Sequence, residues 1–153
     1  MIRFPRLGAA LLLLACALSG MAQDRGTWSA ASSNARAITG DLEISDARLS
    51  INFAKYPLAQ IRSITPAEAA ALFQADSSAP GSGNLYRLSV PPTKQFLHHN
   101  TLCGSEETQW MVTWLQGKDL QVAFFSGSKM PILTFDALNS SADLCGTFSY
   151  LRW

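Results

Sequence analysis

The sequence lacks the features that mark several large classes of protein. Only 15% of its 153 residues are charged, and the formal net charge of +1 leaves no excess of one sign. This balance gives no electrostatic reason to expect a nucleic acid as a partner. The 3 cysteines, 10 glycines and 7 prolines are too few for a disulfide-only scaffold or a collagen-like fibre. With 48% apolar residues, the chain can build one ordinary hydrophobic core.

Only one long apolar run occurs, and it lies at the amino-terminus. Arg3 and Arg6 precede it, and Gly20-Met21-Ala22 follows it with the small residues that a signal peptidase recognises. A run of about twelve apolar residues is too short to cross a bilayer, which needs about 20. We therefore expect a secretory signal peptide at residues 1–22 and a single mature domain at residues 23–153, with no transmembrane span and a net charge of −1.

The cysteines also point to an exported protein. Cys103 and Cys145 are the only two in the mature domain, and an even pair in an exported chain usually oxidises. We therefore expect a Cys103–Cys145 disulfide and a periplasmic or secreted location. Leu13-Leu14-Ala15-Cys16 approximates a bacterial lipobox, so a lipid anchor on Cys16 is the alternative. A catalytic thiol is disfavoured because a free nucleophilic cysteine is hard to keep reduced outside the cytoplasm.

Alternating apolar and polar residues predict a mainly β fold. In residues 48–53, Leu49, Ile51 and Phe53 share one face of a strand. Further strands are predicted within 41–45, 86–90, 110–114, 120–124, 132–135 and 147–153. Thr65-Pro66-Ala67-Glu68 carries the start signals of one short α-helix. This spacing predicts a small antiparallel β-barrel or sandwich of about 7–9 strands.

Gly26-Thr27-Trp28, at the start of the mature domain, resembles the Gly-x-Trp motif that opens the first barrel strand in the lipocalin and avidin-like (calycin) families. In those families a basic side chain from the last strand packs across this tryptophan. Arg152 lies in the last predicted strand. The resemblance therefore implies a small barrel closed by Trp28 against Arg152.

Aromatic residues from neighbouring predicted strands are the strongest candidates for a binding site. We expect five of them on a common face: Trp110, Trp114, Phe124, Phe148 and Tyr150. An eight-stranded barrel can hold one small apolar ligand, with such rings as its walls. Tyr86 or Arg87 would supply a polar anchor, and loops 74–84 and 126–131 would frame the mouth. The alternative is that the rings only fill the core.

Catalytic and metal-binding patterns are weak. His98 and His99 lie close to Cys103 in the sequence, but neighbouring residues of a strand point to opposite faces and cannot share one ion without a bend. Glu106 and Glu107 follow a turn-forming Gly-Ser pair, which is typical of solvated loop carboxylates. Neither a nucleophile elbow nor a phosphate-binding loop is present in the sequence. We therefore expect no catalytic residue, no metal and no cofactor.

These observations predict a non-catalytic, exported protein that binds a small apolar ligand inside a β-barrel. The alternative is a protein-interaction module, such as an enzyme inhibitor or an envelope-assembly factor. It would present residues 94–107, anchored by Cys103, to an envelope or extracellular protein. A hydrolase or metal protein built on His98, His99, Glu106 and Glu107 is the weakest hypothesis.

Overall fold

The computed structural model describes residues 24–153, which form nine strands, three α-helices and one 3-10 turn. The strands are β1 (Gly26–Ala30), β2 (Leu42–Ile44), β3 (Arg48–Ile51), β4 (Ala54–Pro57), β5 (Ala59–Ser63), β6 (Asn84–Val90), β7 (Thr108–Gln116), β8 (Asp119–Phe125) and β9 (Leu144–Leu151). The helices are α1 (Ser33–Ile38), α2 (Pro66–Phe73) and α3 (Phe135–Ser140), and the 3-10 turn is Leu97–His99. The predicted signal peptide and Cys16 lie outside the described residues.

All nine strands belong to one antiparallel sheet, in the order β4-β3-β2-β1-β9-β8-β7-β6-β5. The first and last of the described strands, β1 and β9, pair with each other. The two outermost strands, β4 and β5, are separated in the chain by Leu58 alone. The sheet therefore curls until its two edges meet, and β4 and β5 act as one bent strand that closes a barrel. The predicted antiparallel β fold is confirmed.

Inward-facing side chains from every part of the barrel fill its interior. Trp28 on β1, Phe124 on β8 and Tyr150 on β9 are all at most 1% exposed. They belong to one apolar cluster, which also contains side chains from β2, β3, β4, β6 and β7. Burial of this cluster is the main source of stability, because apolar area removed from water contributes about 25 cal/mol per Å².

A second apolar cluster covers the outside of β6, β7 and β8. α2 and α3 pack on this outer face, where Leu72 of α2 and Leu138 of α3 join the cluster. Thr65 begins α2 with a complete capping box, in which its hydroxyl accepts from the Glu68 amide and the Glu68 carboxylate accepts from the Thr65 amide. The predicted helix is thus confirmed. No helix among residues 24–153 is long and apolar enough to cross a bilayer.

Three details of the predicted strands are wrong or missing. β3 ends at Ile51, and Phe53 lies fully exposed in a turn with a positive φ of 67°, so it does not share the buried face. Residues 132–135 form no strand, because Thr134 caps α3 and the chain turns into that helix. β4 and β5 were not predicted, because most of their side chains are exposed and their sequence shows no apolar alternation.

Successive connections lie at opposite ends of the barrel, because each strand reverses the direction of the one before when β4 and β5 are counted as one bent strand. The lower end holds the start of β1, the end of β9 and connections 45–47, 64–83 and 117–118. The upper end holds connections 31–41, 52–53, 91–107 and 126–143. The two ends of the barrel differ in chemistry.

Candidate functional site

The five predicted lining rings do not share one face. Phe124, Phe148 and Tyr150 point into the barrel, whereas Trp110 and Trp114 lie in the outer cluster beneath the helices. The turn between β7 and β8 has two residues, so each even-numbered residue of β7 pairs with an odd-numbered residue of β8. Paired residues point to the same side of the sheet, and even-numbered residues of the two strands therefore point to opposite sides. The expectation of a single aromatic lining is therefore wrong, and Phe124 and Phe148 pack edge to face with their centroids 5.5 Å apart.

The two predicted polar anchors also separate. Tyr86 points into the barrel, where its hydroxyl donates to Asp24 over 2.7 Å. Arg87 is its neighbour on β6, so it faces outward. There its guanidinium lies 4.9 Å from the centre of the Trp110 ring and donates to Gln109. Strand alternation explains the separation, and Arg87 is not an anchor for a ligand inside the barrel.

The two loops predicted to frame one mouth lie at opposite ends of the barrel. Residues 74–84 belong to the lower connection between β5 and β6, and residues 126–131 to the upper connection between β8 and β9. That expectation is wrong because connections alternate between the two ends of an antiparallel meander.

The upper end is closed by the connection between β6 and β7, residues 91–107, which we call the capping loop. Two of its side chains, Phe96 and Leu102, are each 6% exposed and belong to the interior cluster. Phe96 packs edge to face against Tyr56, with their ring centroids 6.4 Å apart. A disulfide joins Cys103 of this loop to Cys145 on β9, as predicted. The capping loop is therefore held in place both by its two buried apolar side chains and by the disulfide.

The exposed tip of the capping loop contains His98 and His99, which have positive φ angles of 55° and 60°. The Nδ1 atom of His98 donates to the Ala37 carbonyl over 3.0 Å, and that of His99 donates to Gln95 over 3.3 Å. Asn100 donates to the same Ala37 carbonyl. The tip therefore has one defined conformation in which two successive residues occupy the left-handed region.

Removal of the disulfide is expected to lower the free energy of unfolding by about 3–4 kcal/mol, since it closes a loop of 42 residues. The variant is Cys103→Ser combined with Cys145→Ser, and urea denaturation measures the effect. Ser105→Ala, an exposed change in the same loop, is the control and should lie within about 0.5 kcal/mol of the parent. A double variant as stable as its parent would contradict this prediction.

At the lower end, the Arg152 guanidinium lies over the Trp28 indole, 4.0 Å from the ring centre. Arg152 also donates to the backbone carbonyl of Arg25, and the Trp28 indole donates to the Asp24 carbonyl over 2.8 Å. Arg25 in turn forms an ion pair with Asp46 in the turn between β2 and β3. These contacts hold the start of β1 against the end of β9.

A buried polar cluster lies just inside this lower end. Asp24, 1% exposed, accepts hydrogen bonds at Oδ2 from Asn84, Tyr86 and Thr113 at 3.2, 2.7 and 2.5 Å. Its other carboxylate oxygen, Oδ1, is buried and has no hydrogen-bond partner among residues 24–153. No local sequence pattern indicates this cluster, because its other members are 60 to 89 positions from Asp24.

All three tyrosines are buried, and burial raises the pKa of Tyr56, Tyr86 and Tyr150 above the ordinary value of 10.0. The Asp24 carboxylate raises that of Tyr86 further. The native state therefore retains these protons at a pH where the unfolded chain loses them.

Stability is expected to be insensitive to tyrosine ionisation below about pH 10 and to fall as the pH rises above it. Tyrosinate absorbance and circular dichroism, followed together through an alkaline titration, should change in the same step. Gradual ionisation near pH 10 with the native dichroism retained would contradict this expectation. Tyr150→Phe should make the loss of stability with pH less steep.

The residues of the metal hypothesis are spread over the surface of the capping loop. Glu107 accepts a hydrogen bond from Ser89, and His98 and His99 are oriented by the bonds described above. Within residues 24–153, no group of three or more histidine, cysteine, aspartate or glutamate side chains is arranged to hold a metal ion.

Comparison with models of known protein families, with curated proteins and with solved structures finds no match to this chain. We therefore infer its function from the geometry described above.

Proposed function

We propose that this protein is an exported, non-catalytic module that binds another protein through the capping loop. The partner is an envelope or extracellular protein, as for an enzyme inhibitor or an assembly factor. The Cys103–Cys145 disulfide supports an exported location, because disulfides persist in oxidising compartments.

One observation carries this proposal: His98 and His99 are both exposed and both held at positive φ in an anchored loop. A residue other than glycine in this region costs on the order of 1–3 kcal/mol, and such conformations cluster at functional sites. Phe96, Leu102 and the disulfide hold the loop in place from below. A loop fixed before binding loses little conformational entropy when a partner contacts it, so its affinity is higher.

The exposed tip is better suited to contact a protein than to enclose a small molecule. His98, His99 and Gln95 are all exposed at the closed end of the barrel. A small molecule needs a concave site that buries most of its surface. A protein can surround a projecting tip and bury it in the centre of an interface, where a few residues supply most of the binding energy.

Site-specific crosslinking tests the proposal. A photoreactive phenylalanine analogue replaces His99 in the protein exported by living cells, and the same analogue replaces Trp153, which is 93% exposed at the lower end. We expect one discrete protein adduct from position 99 and none from position 153. Equal adducts at both positions, or none at either, would count against the capping loop.

Affinity for the purified partner then provides the quantitative test. His98→Ala with His99→Ala should weaken binding about 30-fold, which corresponds to a loss of about 2 kcal/mol. Lys118→Ala changes an exposed side chain in the turn between β7 and β8 at the lower end and is the control. Equal affinities of the two variants would contradict a role for the histidine tip.

Binding of a small apolar ligand inside the barrel stays a prediction. Phe96 and Leu102 occupy the upper end of the interior, so a ligand entering there would have to displace them. Titration with the fluorescent probe 1-anilinonaphthalene-8-sulfonate distinguishes the two functions. Saturable binding to the native protein, displaced by a fatty acid, would favour the interior site, whereas its absence together with crosslinking at position 99 favours the protein-binding module.

A further inference from the structure

The two-residue turn between β3 and β4 holds an exposed aromatic side chain in an unfavourable backbone conformation. Ile51 pairs with Ala54, and the two residues between them, Asn52 and Phe53, have positive φ angles of 48° and 67°. A hairpin turn with two positive φ angles favours asparagine followed by glycine, because a larger side chain is strained there. Phe53 occupies the glycine position, and its ring is fully exposed. Strain of this kind clusters at functional sites, so Phe53 is a candidate contact residue.

An apolar groove of about 260 Å³ lies between the end of β8 and α3. The apolar part of its lining consists of Phe125, Met130, Pro131, Ile132, Ala137 and Leu138. No residue of α3 is fully buried, so the helix leaves this part of the outer cluster open. A cavity of about 150 Å³ with similar apolar walls holds a benzene molecule. The groove is therefore large enough for a phenyl ring.

The turn and the groove lie on opposite sides of the barrel. In the order of the sheet, β2 and β1 separate β3 from β9 on one side, and β6 and β7 separate β5 from β8 on the other. Phe53 therefore cannot reach the groove of its own chain. A contact between them joins two copies, and it is heterologous because each copy contributes a different surface.

The charged side chains beside the two surfaces are complementary. Lys55 and Glu43 line a depression that Phe53 also lines, and Asp143 and Lys129 line the groove. All four are exposed, and within residues 24–153 none of them forms an ion pair. Lys55 of one copy can therefore pair with Asp143 of the next, and Glu43 with Lys129. Opposite charges placed in this way align two surfaces and favour this contact over others.

We propose that Phe53 of one copy inserts into the groove of a second copy, so that the protein self-associates head to tail. Insertion removes the ring from water and covers Met130 and Ile132, which are 48% and 69% exposed. A contact of this size is weak, and association continues beyond a dimer because each pair retains one unused turn and one unused groove. The capping loop takes no part in this contact, so either proposal can fail without the other.

Sedimentation equilibrium of the purified protein tests this contact. The mean mass should rise with protein concentration and exceed that of a dimer. Phe53→Ser removes the ring and Ile132→Asp places a charge in the groove, and each should weaken association at least about tenfold. Ile61→Ser removes an exposed apolar side chain of β5 that lines neither surface, and this control should associate like the parent.

A mixture of the two defective variants identifies the partner surfaces. The Phe53→Ser protein retains the groove, and the Ile132→Asp protein retains the phenyl ring. In equal amounts they should form a 1:1 dimer that grows no further, although each variant alone stays monomeric.

Phe53→Gly separates the contact from folding. Glycine adopts a positive φ without strain, so we expect the melting temperature to rise by about 3–5 °C while self-association is lost. A lower melting temperature would show that the ring supports the fold and would contradict its assignment as a contact residue.

Three further results would overturn the proposal. These are a parent protein that stays monomeric at every concentration, association that survives Phe53→Ser, and a mixture of the two variants that contains monomers only. If the parent is monomeric and a photoreactive phenylalanine analogue at position 53 captures a different protein, the exposed ring binds that protein and not a second copy.

Discussion

Gly83→Ala is expected to destabilise the barrel by at least about 3 kcal/mol and to leave much of the protein unfolded. A Cβ atom at position 83 would lie 1.9 Å from the Thr113 carbonyl oxygen and 3.0 Å from the Trp114 Cα. Both atoms belong to the backbone of β7, so no side-chain rotation can relieve the clash. β6 would have to move away from β7.

That movement would break hydrogen bonds on both sides of Gly83. Ser82 and Leu115 exchange backbone bonds of 3.0 and 2.7 Å, and the Asn84 amide donates to the Thr113 hydroxyl over 3.2 Å. Thr113 also donates to Asp24, so the buried polar cluster would be distorted as well. Thermal unfolding and urea denaturation both measure the loss.

Gly117→Ala is the matched control. Gly117 lies in the turn between β7 and β8 with a φ of 61°, and no atom lies within 4 Å of the added methyl group. We therefore expect Gly117→Ala to lower the free energy of unfolding by about 1 kcal/mol, through backbone conformation alone. Similar losses of stability for Gly83→Ala and Gly117→Ala would contradict the prediction. They would show that β6 and β7 can move apart at position 83 at little cost in free energy.

Trp28→Ala should cost about 4 kcal/mol, because Trp28 is wholly buried at the closure between β1 and β9. The change opens a cavity, removes the ring beneath Arg152 and deletes the indole donor to the Asp24 carbonyl. Urea denaturation gives the free energy of unfolding.

Trp153→Ala provides the comparison within the same residue type. Trp153 is 93% exposed, so its removal should change the free energy of unfolding by no more than about 0.5 kcal/mol. Arg152→Lys keeps the charge and removes the planar group above the indole. Its loss of unfolding free energy should lie between those of Trp28→Ala and Trp153→Ala. A Trp28→Ala protein as stable as Trp153→Ala would contradict the role of Trp28 in holding β1 against β9.

Local patterns predicted those parts of the fold that depend on neighbours in the sequence. The capping residues at Thr65 and Glu68 predicted α2, and apolar alternation predicted β7 and β8. The same reasoning failed at Phe53, where a turn ends the strand, and at residues 132–135, where a helix cap overrides β-forming side chains. β4 and β5 are held by pairing with β3 and β6, which their own sequence does not reveal.

The candidate sites depend on the register between strands and on contacts between residues far apart in the chain. Local sequence patterns indicate neither. The prediction placed the aromatic residues on one face without the register between β7 and β8. That register places Trp110 and Phe124 on opposite faces of the sheet. The anchoring of the capping loop by Phe96 and the acceptor role of Asp24 both involve residues far apart in the chain. Two contacts were predicted: the disulfide, from an even pair of cysteines, and the packing of Arg152 over Trp28, from the family resemblance.

The pairing of β1 with β9 also determines when the barrel can fold. β1 has no partner on one side until β9 is available, and Arg152, directly after β9, reaches Trp28. Contacts between the two ends of a chain form late and slow the folding reaction. A growing or translocating chain therefore keeps an open sheet edge until β9 emerges, and this interval is when protection from aggregation matters most.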